Sequence, residues 1–261
     1  MNSKFLGNSL DLYKFSVITH LMQCSKGTGL FYVPMITEPL PKERTPKYST
    51  YELGCDHKEL FKLMKKEFKK EFSEINVIKK YFIRSGIHLS MLSVDDESKA
   101  SERLLYFCEE NRKMYFDLAL QHYKSLVNDT LIFLDPDIGC DVGITRRFRS
   151  YRQCYLKKSE IINIMHHLKR NDFIGYFQHL GNSNYSIDHR VRDLRESFGE
   201  WVLFIGYSRI QASLVFIFND EATYMDKRKL IEQYYEQYDN LKHRAKFIIQ
   251  GKPLSSGFLA L

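Results

Sequence analysis

The most informative stretch of the chain is T-L-I-F-L-D-P-D-I-G, residues 130–139. Its residues 131–134 form an unbroken apolar run, which is typical of a strand buried on both faces of a sheet. The run ends in two carboxylates, Asp135 and Asp137, around Pro136. Because ligands of open α/β sheets bind outside the carboxyl ends of the strands, this end is a candidate site for a metal ion, a base or a cofactor. The same residues are also ordinary turn residues, and an aspartate often caps the next helix.

The pattern on either side of this strand alternates strands with helices. A helix is predicted over 8–24, a strand over 30–36 and, less clearly marked, an edge strand over 77–83. After the acidic strand come a helix to about 168, a buried strand over 173–177 and a polar helix over 189–197. Apolar runs at 202–207 and 212–218 are joined by S-R-I-Q, which is too short for a parallel crossover. These two strands should therefore pair antiparallel.

This order predicts an α/β protein with a mainly parallel sheet and a terminal antiparallel strand pair. A buried strand with an acidic end, a helix, a strand, a helix and an antiparallel pair are the second half of class I methyltransferase-like Rossmann folds. We therefore expect a Rossmann-like domain over residues 1–220 and a helical C-terminal appendage over 221–261. Fold alone does not settle function.

Composition excludes several classes of protein. The chain has 261 residues, of which 44% are hydrophobic, so general disorder is not expected. No run of about 18 apolar residues indicates a membrane span, and the N-terminus lacks the apolar core of a signal peptide. Five scattered cysteines without a C-x-x-C pair argue against a zinc site and a disulfide framework. A reducing cytoplasm is the expected location.

Charge favours an anionic partner. The net charge is +7 and the pI is near 9.0, as in many proteins that bind nucleic acid. Basic residues follow the acidic strand and are interleaved with aromatic ones, a mixture that suits phosphates and stacked bases. A solvated surface loop of a basic protein is an equal alternative. The basic residues of this stretch are Arg146, Arg147, Arg149, Arg152, Lys157 and Lys158.

Four segments could meet at one rim of the sheet. The first is G-N-S-L-D-L-Y-K, residues 7–14, which places Asp11 and Lys14 at i and i+3 of a helix. The second is the acidic pair, the third is Q-H at 178–179, where the next buried strand ends, and the fourth is the arginine cluster. For Asp11 and Lys14 the alternative is a surface ion pair worth at most about 1 kcal/mol.

Together these groups suit phosphate-ester chemistry. Asp135 and Asp137 would bind Mg²⁺ or Mn²⁺, and His179 would act as a base or ligand. Lys14 and Arg147 would hold the phosphate. The sequence contains no P-loop, G-x-S-x-G, H-E-x-x-H or G-x-G-x-x-G motif, so kinase-like, esterase, zincin and dinucleotide-binding functions have no support.

Three short blocks resemble a bacterial group of functionally obscure proteins. They are L-G-N-S-L-D-L-Y-K (6–14), F-L-D-P-D-I-G (133–139) and Y-F-Q-H-L-G (176–181). The group carries approximately L-G-D-A-x-D-x-Y-K, F-L-D-P-D-N-G and Y-Q-H. This chain departs from that pattern at Asn8 and Ile138. The resemblance implies that the blocks form one site.

More remotely, the first block resembles the G-N-x-A-D-V-L-K-H start of RlmJ-type rRNA adenine-N6 methyltransferases. That resemblance implies that Asn8, Asp11 and Lys14 lie beside S-adenosylmethionine and that Asp135 is the catalytic aspartate. The chain departs from it because Asp137 and Ile138 replace the proline and the aromatic of D-P-P-Y. In addition, M-I-T-E-P-L-P follows the first strand in place of a glycine-rich loop.

The sequence thus leads to three hypotheses. The first is a metal-dependent nuclease or phosphodiesterase that acts on nucleic acid through the acidic pair. The second is an S-adenosylmethionine-dependent nucleic-acid methyltransferase with an unusual cofactor loop. The third is a non-catalytic nucleic-acid-binding or defence-related protein on the same scaffold.

Overall fold

The chain builds a large central sheet with helices on both faces. The computed structural model describes residues 9–35, 62, 75–92, 107–136, 139–140, 155–179, 187–207, 212–237, 247–249 and 252–253. Within these ranges the helices are α1 (Ser9–Cys24), α2 (Ile75–Arg84), α3 (Arg112–Ser125), α4 (Lys158–Met165), α5 (Ile187–Phe198) and α6 (Glu221–Gln237). The strands are β1 (Gly29–Pro34), β2 (Leu89–Met91), β3 (Thr130–Asp135), β4 (Gly139–Cys140), β5 (Tyr155–Leu156), β6 (Phe173–His179), β7 (Val202–Tyr207), β8 (Ala212–Phe218), β9 (Phe247–Ile249) and β10 (Lys252–Pro253).

Eight strands form the sheet in the order β10-β9-β7-β8-β6-β3-β1-β2. Strands β2, β1, β3 and β6 pair in parallel, whereas β8 lies antiparallel to both β6 and β7. The short strands β4 and β5 pair in parallel beside the main sheet. The α/β fold with a mainly parallel central sheet is therefore confirmed, as is the antiparallel pair at 202–207 and 212–218.

The strand order reverses next to β3. From β1 the chain passes to β2 on one side, and it then returns to β3 on the other side of β1. Such a reversal of strand order is a topological switch point, where the connections leave the sheet in opposite directions and a ligand can enter between them. The carboxyl ends of β1 and β3 are therefore the favoured binding position of this fold.

Each face of the sheet carries its own apolar core. Because side chains alternate along a strand, Leu131 and Phe133 of β3 face helices α1, α2 and α6, and Ile132 and Leu134 face α3, α4 and α5. All six residues of β3 are buried. Burial of each such side chain stabilises the fold by about 1.5–3 kcal/mol, which fixes β3 rigidly in the middle of the sheet.

The predicted strand at 77–83 is wrong, because these residues lie in helix α2. Ile78, Tyr81 and Phe82 are buried at a spacing of three and four residues, whereas Lys79 and Lys80 are exposed. That spacing is the period of a helix with one apolar face. The lysines interrupt the apolar run because they lie on the solvent side of a helix, and not because the segment is an edge strand.

The C-terminal helix packs onto the main core. The Tyr13 and Tyr235 hydroxyl oxygens lie 3.1 Å apart, and the Ser16 hydroxyl pairs with that of Tyr234, so hydroxyl contacts join α1 to α6. After α6, β9 pairs with β7 and extends the sheet. The division of the chain at residue 220 stays a prediction. Among the described helices, none is both long and apolar enough to cross a membrane.

Candidate active site at the end of β3

Asp135 lies at the switch point. It is the last residue of β3 and pairs in register with Pro34, the last residue of β1. The backbone N–H of Met35 donates to the Asp135 carbonyl at 3.3 Å. Alternation along β3 turns the Asp135 side chain to the same face as Phe133, toward α1, and the residue is only 1% exposed. The predicted acidic strand end is thus at the carboxyl edge of the sheet, where open α/β sheets generally bind ligands, but its first carboxylate is buried.

Lys14 joins two carboxylates at this edge. Its Nζ donates to Asp11 Oδ1 and to Asp135 Oδ2, each at 2.6 Å. The helical spacing of i and i+3 brings Asp11 and Lys14 together on α1, and the packing of α1 against the sheet carries them to β3. All three residues are buried. The alternative of a surface ion pair is therefore wrong for Asp11 and Lys14.

The buried ammonium remains charged at neutral pH. Burial alone lowers the pKa of Lys14, but the charges and hydrogen bonds of Asp11 and Asp135 outweigh it and raise the pKa above its ordinary value. The ammonium also lies over the rings of Phe15, at 4.6 Å, and Phe177, at 5.7 Å. Aromatic faces attract a cation and so add to the stabilisation of the buried charge.

Tyr32 is a member of the site that sequence reasoning missed. Its hydroxyl donates to Asp135 Oδ2, the same oxygen that accepts from Lys14. Burial and the neighbouring carboxylate of Asp135 raise the pKa of Tyr32, so its hydroxyl keeps the proton that it donates. The Tyr32 ring stacks on Phe133 at 6.1 Å. Within the apolar strand G-L-F-Y-V-P, only the fact that a buried tyrosine hydroxyl needs a partner could have indicated this role.

His179 lies on the same face, one ring away from Lys14. The rings of His179 and Phe177 meet edge to face, with their centroids 5.0 Å apart. The Lys14 ammonium lies over the same Phe177 ring. His179 is half-buried, so it is more accessible than Asp11, Lys14 or Asp135. Three of the four predicted segments are therefore adjacent at one rim.

The Gln178 side chain lies on the opposite face of β6 from His179 and holds β4, the short strand that follows β3. Its Oε1 accepts from the Cys140 backbone N–H at 2.8 Å, and its Nε2 donates to the His179 carbonyl at 3.1 Å. Gly139 has a φ of 126°, and a Cβ atom there would collide with the Gln178 side chain. The glycine after the acidic pair is therefore required by both backbone conformation and space.

Arg112 anchors the chain that leads into α4. Its guanidinium binds both carboxylate oxygens of Glu160, at 2.8 and 2.9 Å, and donates to the Tyr155 carbonyl at 2.6 Å. Glu160 also accepts from the Lys157 backbone N–H at 2.7 Å, which caps α4. The Lys157 ammonium pairs with Glu109, so that predicted nucleic-acid contact has a carboxylate partner. Lys158 is half-buried in the first turn of α4.

The remaining predicted site residues lie outside the described ranges. No group of three or more histidine, cysteine, aspartate or glutamate side chains placed to hold a metal ion occurs within the described residues. The metal, catalytic and nucleic-acid roles of the predicted residues stay predictions. The predicted positions without a structural description are Asn8, Asp137, Arg146, Arg147, Arg149 and Arg152.

Comparisons with known proteins place the chain in no family. No protein-family model matches it. No curated protein matches it either. Among solved structures it is similar to protein LPL1258 from Legionella pneumophila str. Philadelphia 1, which is described as a member of the domain-of-unknown-function family DUF519. The two chains are 16% identical with a TM-score of 0.47, and the match covers 94% of this chain and 97% of that one.

Proposed function

We propose that this chain is a methyltransferase-type enzyme that transfers a methyl group from S-adenosylmethionine to an amino group of nucleic acid. The observation that supports this best is the position of Asp135. It lies at the switch point of the sheet, and a buried ammonium and a tyrosine hydroxyl both donate to its Oδ2. This arrangement fixes a carboxylate in the position that the remote resemblance assigns to a catalytic aspartate.

The course of the chain around Asp135 supports the same proposal. After β3 and the short strands β4 and β5, the chain continues through α4, β6, α5 and the antiparallel pair β7 and β8, and in the main sheet this is the order predicted from class I methyltransferase-like folds. The helix that carries Asp11 and Lys14 precedes β1 and packs on the Asp135 face. All the blocks on which the resemblance rests therefore contribute described residues to one edge.

The groups at this edge fit the proposed cofactor and acceptor. Carboxylate oxygens of Asp11 and Asp135 are acceptors for amino and ammonium groups, which both S-adenosylmethionine and a nucleobase carry. Asp135 would accept a hydrogen bond from the target amine and orient it, while Lys14 and Tyr32 keep the carboxylate in place. When bound, S-adenosylmethionine supplies the methyl group. Asp11, with Lys14, would lie beside the cofactor.

The basic character of the chain supports nucleic acid as the substrate class. The net charge of +7 favours a polyanion. The arginine-rich sequence 146–152 falls between β4 and β5 along the chain. Gly139 and Cys140 of β4 pair with Tyr155 and Leu156 of β5, so the chain leaves and re-enters the described structure at neighbouring positions. Cys140 is itself bound by Gln178 of β6, the strand next to Asp135.

A metal-dependent nuclease is less well supported by the geometry. In that hypothesis Asp135 binds Mg²⁺ or Mn²⁺, but its Oδ2 already accepts from Lys14 and Tyr32. A divalent cation on this oxygen would lie next to an ammonium, and two like charges at such a distance repel strongly in a buried site. The nuclease stays a prediction that the same samples can test.

The test compares two buried aspartates. Asp135→Asn is measured against Asp172→Asn, since Asp172 is also buried and accepts from a tyrosine hydroxyl, that of Tyr123, but lies at the amino end of β6. Calorimetry measures binding of S-adenosylmethionine, and transfer of a tritiated methyl group to RNA and DNA measures activity. We expect transfer to fall by about 10²–10³-fold in Asp135→Asn and to persist in Asp172→Asn.

Three outcomes separate the hypotheses. The proposal is wrong if the wild-type protein gives no heat of binding and no methyl transfer on any nucleic acid. Cleavage of RNA or DNA that depends on Mg²⁺ or Mn²⁺ and is lost in Asp135→Ala would favour the nuclease. Salt-sensitive nucleic-acid binding that survives Asp135→Asn, without either reaction, would indicate a non-catalytic binding protein.

A further inference from the structure

We infer that Lys14 is a built-in cation that occupies the acidic site between Asp11 and Asp135 and keeps divalent metal ions out of it. A lysine with two carboxylate contacts of 2.6 Å holds the position that a metal ion bridging the same oxygens would take. The site would then recognise hydrogen-bond donors, such as an amino group, and not a metal. This inference does not depend on the proposed methyl transfer, because it concerns only the occupant of the site.

The distances make the comparison with a metal direct. Ca²⁺ binds carboxylate oxygens at about 2.3–2.6 Å and Mg²⁺ at about 2.0–2.1 Å. The Nζ–O distances of Lys14 therefore equal the upper end of the Ca²⁺ range, and the oxygens would need to move closer together for Mg²⁺. The Tyr32 hydroxyl also donates to Asp135 Oδ2 and so helps to hold this oxygen in place. If the ammonium is removed, Ca²⁺ therefore requires a smaller movement of these two oxygens than Mg²⁺ does.

The surroundings of Lys14 stabilise the ammonium in this position. The residue is 2% exposed, and its ammonium lies over the rings of Phe15 and Phe177. To leave the site, the ammonium would have to give up two ion pairs and pass out of an apolar environment. A metal ion in solution therefore competes with a cation that is covalently tethered in the site and cannot diffuse away.

The experiment replaces the tethered cation with free ones. In Lys14→Ala, the atoms removed correspond to n-propylammonium, and the two carboxylates and the Tyr32 hydroxyl remain. Thermal unfolding and calorimetry are carried out with Ca²⁺, Mg²⁺ or n-propylammonium, in wild type and variant. We expect Ca²⁺ and n-propylammonium to raise the melting temperature of the variant by roughly 5 °C or more near saturation, and to leave the wild type unchanged. Mg²⁺ should act more weakly than Ca²⁺.

Lys227 provides a matched control. It is also a buried lysine whose ammonium pairs with a carboxylate, that of Asp226, and lies near an aromatic ring, that of Phe173 at 5.9 Å. Within the described residues its ammonium pairs with one carboxylate, whereas that of Lys14 pairs with two. Lys227→Ala should therefore show no stabilisation by Ca²⁺ beyond that of the wild type.

A second variant covers the case in which Lys14→Ala does not fold. Lys14→Gln keeps a side chain of similar shape between the rings, removes the charge and offers an amide oxygen, which Ca²⁺ also accepts as a ligand. Calorimetry should detect Ca²⁺ binding to Lys14→Gln, and Asp11→Asn in the same background should remove it. The inference is overturned if wild type binds Ca²⁺ at this site as well as the variants do, or if neither variant gains any cation-dependent binding.

Discussion

Lys14 should matter more to stability than either of its carboxylate partners. In Lys14→Met, a side chain of similar length leaves the carboxylates of Asp11 and Asp135 buried without the ammonium that joins them. Removal of one partner from a buried ion pair costs about 3–5 kcal/mol, because the remaining charge has no compensation. In Asp135→Asn, by contrast, Lys14 keeps Asp11 and the asparagine oxygen still accepts from Tyr32. The loss is then the difference between charged and neutral hydrogen bonds, about 1–2 kcal/mol.

Urea unfolding at pH 7, followed by circular dichroism, measures the two costs. A change of 1 kcal/mol shifts the melting temperature by about 2–4 °C in a protein of this size class, so the two variants should be separable by temperature as well. Lys227→Met is the control, because the Asp226 partner of Lys227 has a 61% exposed side chain and such a pair is worth about 0–1 kcal/mol.

The order of these costs is the test of the reasoning. If Lys14→Met destabilises the protein no more than Asp135→Asn, the ammonium does not carry the charge balance of the site. Replacement of all three groups, as Lys14→Met with Asp11→Asn and Asp135→Asn, should recover most of the stability lost in Lys14→Met. Neutral replacement of a whole buried ion-pair group is commonly neutral or stabilising.

Three further predictions concern the pH dependence of stability, Gly139 and Arg112. The pKa values of Lys14 and Tyr32 are raised above their ordinary values of 10.5 and 10.0, so the stability that these groups contribute is fully present below the ordinary values and is lost as pH rises through the pKa values of the folded protein. The free energy of unfolding should therefore fall above about pH 10, and it should fall by less in Tyr32→Phe. Gly139→Ala should cost about 1–3 kcal/mol in urea unfolding, since its φ of 126° is strained for alanine and the new Cβ meets Gln178; a neutral result would contradict the described geometry. Arg112→Ala should lower the free energy of unfolding by about 3–5 kcal/mol, because it leaves the largely buried Glu160 carboxylate without its cation. Glu160→Gln in the same background should restore part of this loss, as measured by chemical denaturation.

Strand positions were predictable where both faces of the strand are buried. The runs 131–134, 202–206 and 214–218 contain no polar side chain, so their type and position follow from composition alone. Residues 77–83 contain two lysines, and there the sequence supports either an edge strand or an amphipathic helix. The spacing of Ile78, Tyr81 and Phe82 decides for the helix, because all three are buried on one face.

Only those site residues were predictable that lie at the end of a strand or at a regular helix spacing. The end of β3 located Asp135, and the i and i+3 spacing paired Asp11 with Lys14. Their burial was not predictable, because an ion pair of this spacing most often lies on a helix surface. Tyr32 was missed because its role depends on register: it lies beside Phe133, and its hydroxyl reaches Asp135 across the neighbouring strand.

Two buried aspartates lie at opposite ends of the parallel strands and are held by different kinds of donor. Asp172, at the amino ends of the strands, accepts from the Thr130 backbone N–H at 2.7 Å and from the Tyr123 hydroxyl, and neutral donors are sufficient to hold it. Asp135 also accepts from a tyrosine, yet it is joined to a buried ammonium that in turn requires Asp11. Burial of an additional ion is costly, and a neutral donor set would hold the strand end as well. The chain thus has neutral donors at the amino ends of these strands and a buried ion-pair cluster at their carboxyl ends, as expected if the charge acts on a ligand.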